Sequence, residues 1–124
     1  MADGYPVPKT LKGKKGMTGI ERIAAERKRQ VEEEGWSAEH DAEHVKGEMA
    51  TAAVAYIQHG EPFPAENRRG WVTDGERLFP WGLSWWKPVK KDPLDMTQKD
   101  RIRHLEKAGA LIAAEIDRLL ALKP

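Results

Sequence analysis

Four residues bring metal or acid-base chemistry to mind: His40, Asp41, His44 and Glu48, all within one short segment. On a helix, His40, His44 and Glu48 follow one another at i,i+4 steps with Asp41 beside them, so all four present nitrogen or oxygen to one volume. A divalent cation suits such a volume. Zinc takes two imidazoles and a carboxylate with one open position, whereas magnesium or manganese takes more oxygens and keeps waters. The run His40-Asp41-Ala42-Glu43-His44 is not the H-E-x-x-H motif of metalloproteases. The structural alternative has His40 and Asp41 capping the helix and His44 packing on Trp36.

Glu115 is the second chemical signal, because it interrupts the apolar run Ala110-Leu111-Ile112-Ala113-Ala114-Glu115-Ile116. A carboxylate among apolar neighbours needs a cation or hydrogen-bond donors. Arg22, Arg27 or Arg29 can supply an ion pair. Alternatively, Glu115 faces Glu48 across two helices and shares a metal with it, assisted by Asp117 or Glu106. The third signal is Phe79-Pro80-Trp81-Gly82-Leu83-Ser84-Trp85-Trp86-Lys87-Pro88, which holds three of the chain's five tryptophans. With Lys87, Lys90, Lys91 and later Arg103, it can stack a base on Trp85 or Trp86 and hold phosphates. It can equally pin a long loop to a small core.

Helices must position these groups. Thr18 and Glu21 form a capping box, and Ile20, Ile23, Ala24, Arg27 and Val31 make one stripe of a helix over about residues 19–33, stopped at Gly35. A second helix runs from Ser37 or Asp41 to about Gln58, with small residues Ala50 to Ala55 permitting close approach by a neighbour. Pro62, Pro64, Gly70 and Pro80 break every period over residues 59–96, a long Pro/Gly/Trp-rich loop. Thr97 and Asp100 cap a last helix whose apolar face, Ile102 to Leu120, is wide enough for contacts on more than one side or for a second subunit. The fold expected is all-α: a small helical bundle over residues 18–124, preceded by a flexible basic arm over residues 1–17.

Composition narrows the function. The 124 residues carry 21 Lys and Arg against 20 Asp and Glu, a net charge of +1, which gives no global field for nucleic acid or an anionic membrane. Direct nucleic-acid binding is therefore not expected. With no Cys, thiol catalysis and zinc ribbons are excluded, and no apolar stretch is long enough to span a membrane. A cytoplasmic protein is expected.

The motifs Glu34-Gly35-Trp36, Glu39-His40-Asp41, His44, Gly47-Glu48, Trp85-Trp86-Lys87-Pro88 and Lys107 to Ile116 resemble those of a group of small phage and prophage proteins, over about residues 20–120. More distantly, the chain resembles the all-α MazG-like nucleoside triphosphate pyrophosphohydrolases. That resemblance implies a MazG-like arrangement of helices, a nucleotide substrate, Mg2+ or Mn2+, pyrophosphate release and a homodimer or higher homo-oligomer in the cytoplasm of a bacterial host. Gly47-Glu48 matches the acidic second-helix motif; Glu115-Ile116-Asp117 departs from the family's ExxD spacing. On this reading Glu48, Glu115 and acids near Glu33 or Glu34 hold the metal, and His44 ligates it or positions water. Lys87 and Arg103 hold outer phosphates, and Trp85 or Trp86 stacks the base. The alternative is a non-catalytic phage protein that binds a nucleotide or a host factor.

Overall fold

The computed structural model describes residues 16–36, 38–60 and 73–122. The basic arm expected over residues 1–17 lies almost wholly outside the described residues, as does the part of the long loop over residues 61–72. Every regular element described is helical: α1 (Gly19–Glu34), α2 (Ala38–Asp41), α3 (Glu48–Gln58) and α4 (Gln98–Ala121), with 3-10 turns at Gly75–Leu78, Leu83–Trp85 and Pro93–Asp95.

Local signals explain the ends of the long helices. Thr18 accepts from the Glu21 amide while Glu21 returns to the Thr18 amide, and Thr97 and Asp100 do the same for α4. Gly35 ends α1 at φ 72°, a left-handed conformation that glycine adopts at no steric cost.

The helix expected over Ser37 or Asp41 to Gln58 is in fact two. Its chain turns at residues 42–47, and Gly47, at φ 79°, forms the N-cap of α3. A left-handed residue cannot continue a right-handed helix, so the i,i+4 ladder of His40, His44 and Glu48 does not form. Instead His40 lies in α2, His44 in the turn, and Glu48 opens α3.

The core is small-residue packing. Met49, Ala52, Ala53, Ala55 and Tyr56 of α3 bury against Ala108, Leu111 and Ala114 of α4, and Trp86 joins them from the loop. The short side chains let the two helices approach closely, as their sequence implies. Gly75 extends the effect: a Cβ there would stand 2.1 Å from the Ala55 carbonyl oxygen, so the first 3-10 turn reaches α3 only as glycine.

α1 does not present the stripe its pattern implies. Ile20 is 83% exposed and Ala24 and Val31 are also exposed, whereas the buried residues of α1 are Glu26 and Gln30. Ile23 of the stripe does pack inward, filling the space over Gly109 on α4. Charges do the rest of the docking. Arg22 pairs with Glu106 at 3.0 Å, and Arg103 reaches Glu26 at 2.8 Å.

Candidate functional site

Trp36 leaves the end of α1 and stacks on His40 of α2, with ring centroids 6.2 Å apart and planes within 7°. His40 meets His44 edge-on at 4.9 Å, His44 meets Trp81 at 5.1 Å, and Trp81 returns to Trp36 at 6.5 Å. These four rings, with Trp85 and Met49, line a cavity of about 270 Å³. Trp85 is 57% exposed at this cavity, while Trp86 is buried among Tyr56, Phe79 and His59. The two tryptophans thus differ: Trp86 anchors the loop to the core, and Trp85 leaves much of its indole open at the cavity.

Asp41, also at the cavity wall, is buried and takes the Arg27 guanidinium at 3.0 Å and the His40 Nδ1 at 3.3 Å. Its charge is therefore matched by Arg27. His44 and Glu48 stand 3.7 Å apart, and the Glu48 carboxylate accepts from the Lys46 amide at 2.7 Å. Backbone hydrogen bonds at the start of α3 hold the Glu48 carboxyl below its ordinary range.

Glu115 finds its cation on its own helix. Arg118, one turn on, donates through Nε and Nη2 at 2.8 and 2.9 Å, and this bond holds the Glu115 carboxyl down. The expected first-helix partners are all engaged elsewhere: Arg22 with Glu106, Arg27 with Asp41, Arg29 with Glu26 and Glu34. Glu48 is near enough to Glu115 to push its carboxyl upward and to favour the charged Arg118. The two carboxylates thus feel one another's charge, while the ion pair of Glu115 is with Arg118 and the partners of Glu48 are His44 and the Lys46 amide. Among the described residues, no group of three His, Asp or Glu side chains converges as a metal site.

Sequence reasoning missed the polar seam between α1 and α4. Burial by itself raises the Glu26 carboxyl, but hydrogen bonds and charges from Arg29 and Arg103 more than reverse this and bring it to about 2. Gln30, 2% exposed, donates to Glu26 at 3.2 Å, and its own Oε1 is buried without a hydrogen-bond partner. This seam separates two further cavities. A cleft of about 30 Å³ lies among Gln30, Glu34, Lys87 and Lys107, and it shares Trp36 and Trp85 with the aromatic cavity. A groove of about 750 Å³ runs between α1 and the start of α4, lined by Arg22, Lys99, Arg103, Glu33 and Glu106, and it shares Glu26 and Arg29 with the cleft.

Of the expected base and phosphate contacts, Trp85 lines both the aromatic cavity and the cleft, Lys87 lines the cleft and Arg103 lines the groove. No family model matches the chain, and no curated protein or solved structure shows significant similarity to it.

Proposed function

We propose that the protein binds a nucleotide. The base enters the cavity of Trp36, His40, His44, Trp81 and Trp85, and the phosphates extend past Lys87 toward Arg29 and Arg103. The observation that carries this reading is the shared walls: the small cleft of Lys87 and Lys107 shares Trp36 and Trp85 with the aromatic cavity and Glu26 and Arg29 with the arginine-lined groove, so the three adjoin. Indole faces stack on any base, and guanidinium groups suit phosphate oxygens. Calorimetry with ribo- and deoxyribonucleoside mono-, di- and triphosphates tests it. Trp85→Ala is expected to weaken binding by about tenfold, the loss of one stacking contact, while leaving the melting temperature within a few degrees because Trp85 is largely exposed. No affinity for any nucleotide overturns the proposal.

A second reading, metal-dependent release of pyrophosphate, is favoured by Glu33 and Glu106, which line the same groove as Arg29 and Arg103. Acids beside phosphate-holding cations are where a magnesium-bound triphosphate is accommodated. Of the donors first expected, His40, Asp41, His44, Glu48 and Glu115, Asp41 already pairs with Arg27, Glu115 with Arg118, and Glu48 accepts from the Lys46 amide, while Glu106 in the groove pairs with Arg22 and Arg103. Triphosphates left intact with Mg2+ or Mn2+ present remove the hydrolase and leave the binding protein. Normal turnover in Glu48→Gln and Glu115→Gln places any hydrolytic centre in the groove.

We also propose self-association through α4. Ile112, Ile116 and Leu119 are each 42 to 51% exposed along one face, and Leu120 is 77% exposed beside them. Light scattering at micromolar concentration is expected to give a dimer mass, and Ile116→Glu a monomer. A monomeric wild type defeats this. No described helix is long and apolar enough to cross a membrane.

A further inference from the structure

Lys107 lies on the inner side of α4 and lines the small cleft that shares walls with both the aromatic cavity and the arginine groove, neither of which includes it. Its ammonium donates to the Lys87 carbonyl oxygen at 2.9 Å and sits 5.4 Å from the centre of the Tyr56 ring. An ammonium carries three N–H donors, so two remain beyond the one spent on Lys87. We propose that Lys107 is the anion anchor of the nucleotide site, taking the phosphate closest to the base at the mouth of the cleft that adjoins both cavity and groove, so that binding requires its protonated form.

This rests on the nucleotide reading above. The charges facing Lys107 support it. From α1 come Glu26, Arg29 and Glu34, from α3 the Tyr56 phenol, from the loop Lys87, and from α4 itself Arg103 and His104. In the cleft, the cations Arg29, Lys87 and Lys107 outnumber the acids Glu26 and Glu34. Burial, then repulsion from Arg103, then Arg29, lowers the Lys107 ammonium to about 8 against the pull of Glu26 and Glu34. An incoming phosphate reverses that balance and restores the charge. Nucleotide binding above about pH 8 must then take up a proton.

The test is calorimetry of ATP and CTP, whose bases do not titrate in this range, with the wild type, Lys107→Arg and Lys107→Met at pH 7, 8, 9 and 10. Circular dichroism at each pH checks that the helices persist. The wild-type dissociation constant is expected to rise by nearly tenfold per unit above about pH 8. Lys107→Arg, always charged, is expected to bind with no such slope, and Lys107→Met to bind about tenfold or more weakly at pH 7, also without slope. A wild type that binds equally well from pH 7 to 10, or a Lys107→Met that binds like the wild type, overturns the anchor and leaves nucleotide binding standing. Failure of every nucleotide to bind the wild type overturns the nucleotide reading and the anchor with it. If Lys107→Met does not fold, the contrast between wild type and Lys107→Arg decides alone.

Discussion

Glu26→Gln is expected to destabilise the fold by about 2 to 3 kcal/mol in chemical denaturation at pH 7, and at the same time to tighten nucleotide binding. The carboxylate is 4% exposed and joins Arg29 of its own helix to Arg103 of α4. Glutamine preserves volume but leaves two guanidinium groups facing each other across the seam, and removing one partner of a buried charge cluster costs far more than the cluster's net worth. Both arginines are about one-third exposed, so water screens part of the penalty and the upper end of the usual range does not apply. The pH dependence gives an independent check. Glu26 has its carboxyl lowered from 4.5 to about 2, so its stabilising contribution is complete above 4.5 and disappears as the pH falls through 2. Glu26→Gln should therefore lose less stability than wild type across that interval. On the proposed nucleotide site, releasing Arg29 and Arg103 from a competing anion is the expected source of the tighter phosphate binding. A variant with wild-type stability and an unchanged acid profile would show that the arginines hold the helices without Glu26.

That seam is where reading the sequence fell short, for a physical reason. Amphipathic patterning places Ile20, Ile23, Ala24 and Val31 toward the core because apolar burial normally decides which way a helix faces. Here α1 is docked by Glu26, Arg29, Arg22 and their partners on α4, so polar pairing overrides the period and leaves Ile20 outside. Where apolar burial or capping does decide, the reading holds: the small-residue approach of α3 to α4 and both capping boxes form as the residues imply. The break before α3 was harder to read. Gly47 can sit inside a helix at modest cost, and only the folded chain shows it at positive φ.

For the site, the Trp-rich segment was legible as either ligand surface or anchor; the buried Trp86 is an anchor, and the exposed Trp85 is left for the proposed ligand surface. His40, His44 and Asp41 do converge, but as walls of an aromatic cavity that also takes Trp36 and Trp81. Those two come from distant parts of the chain, and no spacing rule brings them together. His59 was missed for the same reason. Fully buried, its Nδ1 accepts from the Gly75 amide at 3.0 Å and its Nε2 bonds the Lys90 carbonyl at 2.8 Å, tying both ends of the loop to α3.

His104 carries the acid sensitivity of this loop, and stability is expected to fall by about 2 kcal/mol between pH 7 and pH 5. The ring is 1% exposed, its Nε2 accepts from the Val89 amide at 2.9 Å, and its Nδ1 is buried without a hydrogen-bond partner. Accepting at Nε2 fixes the neutral tautomer with the proton on Nδ1. Protonating Nε2 would set two donors against each other at Val89. Burial, with the positive charge of Lys107 nearby, accordingly lowers the His104 imidazole from 6.5 to about 4. Between these values the unfolded chain holds a proton that the folded chain refuses, so stability is complete above 6.5 and declines as the pH falls toward 4, by about 1.4 kcal/mol per unit once the unfolded ring is fully charged. Most of the Glu26 contribution is lost at lower pH, which makes pH 7 to 5 the interval to measure. His104→Gln keeps an acceptor for the Val89 amide and cannot titrate. Its denaturation midpoint should change much less than that of the wild type from pH 7 to 5; equal losses in both proteins would assign the acid sensitivity to some other group and leave His104 only its structural bond to Val89.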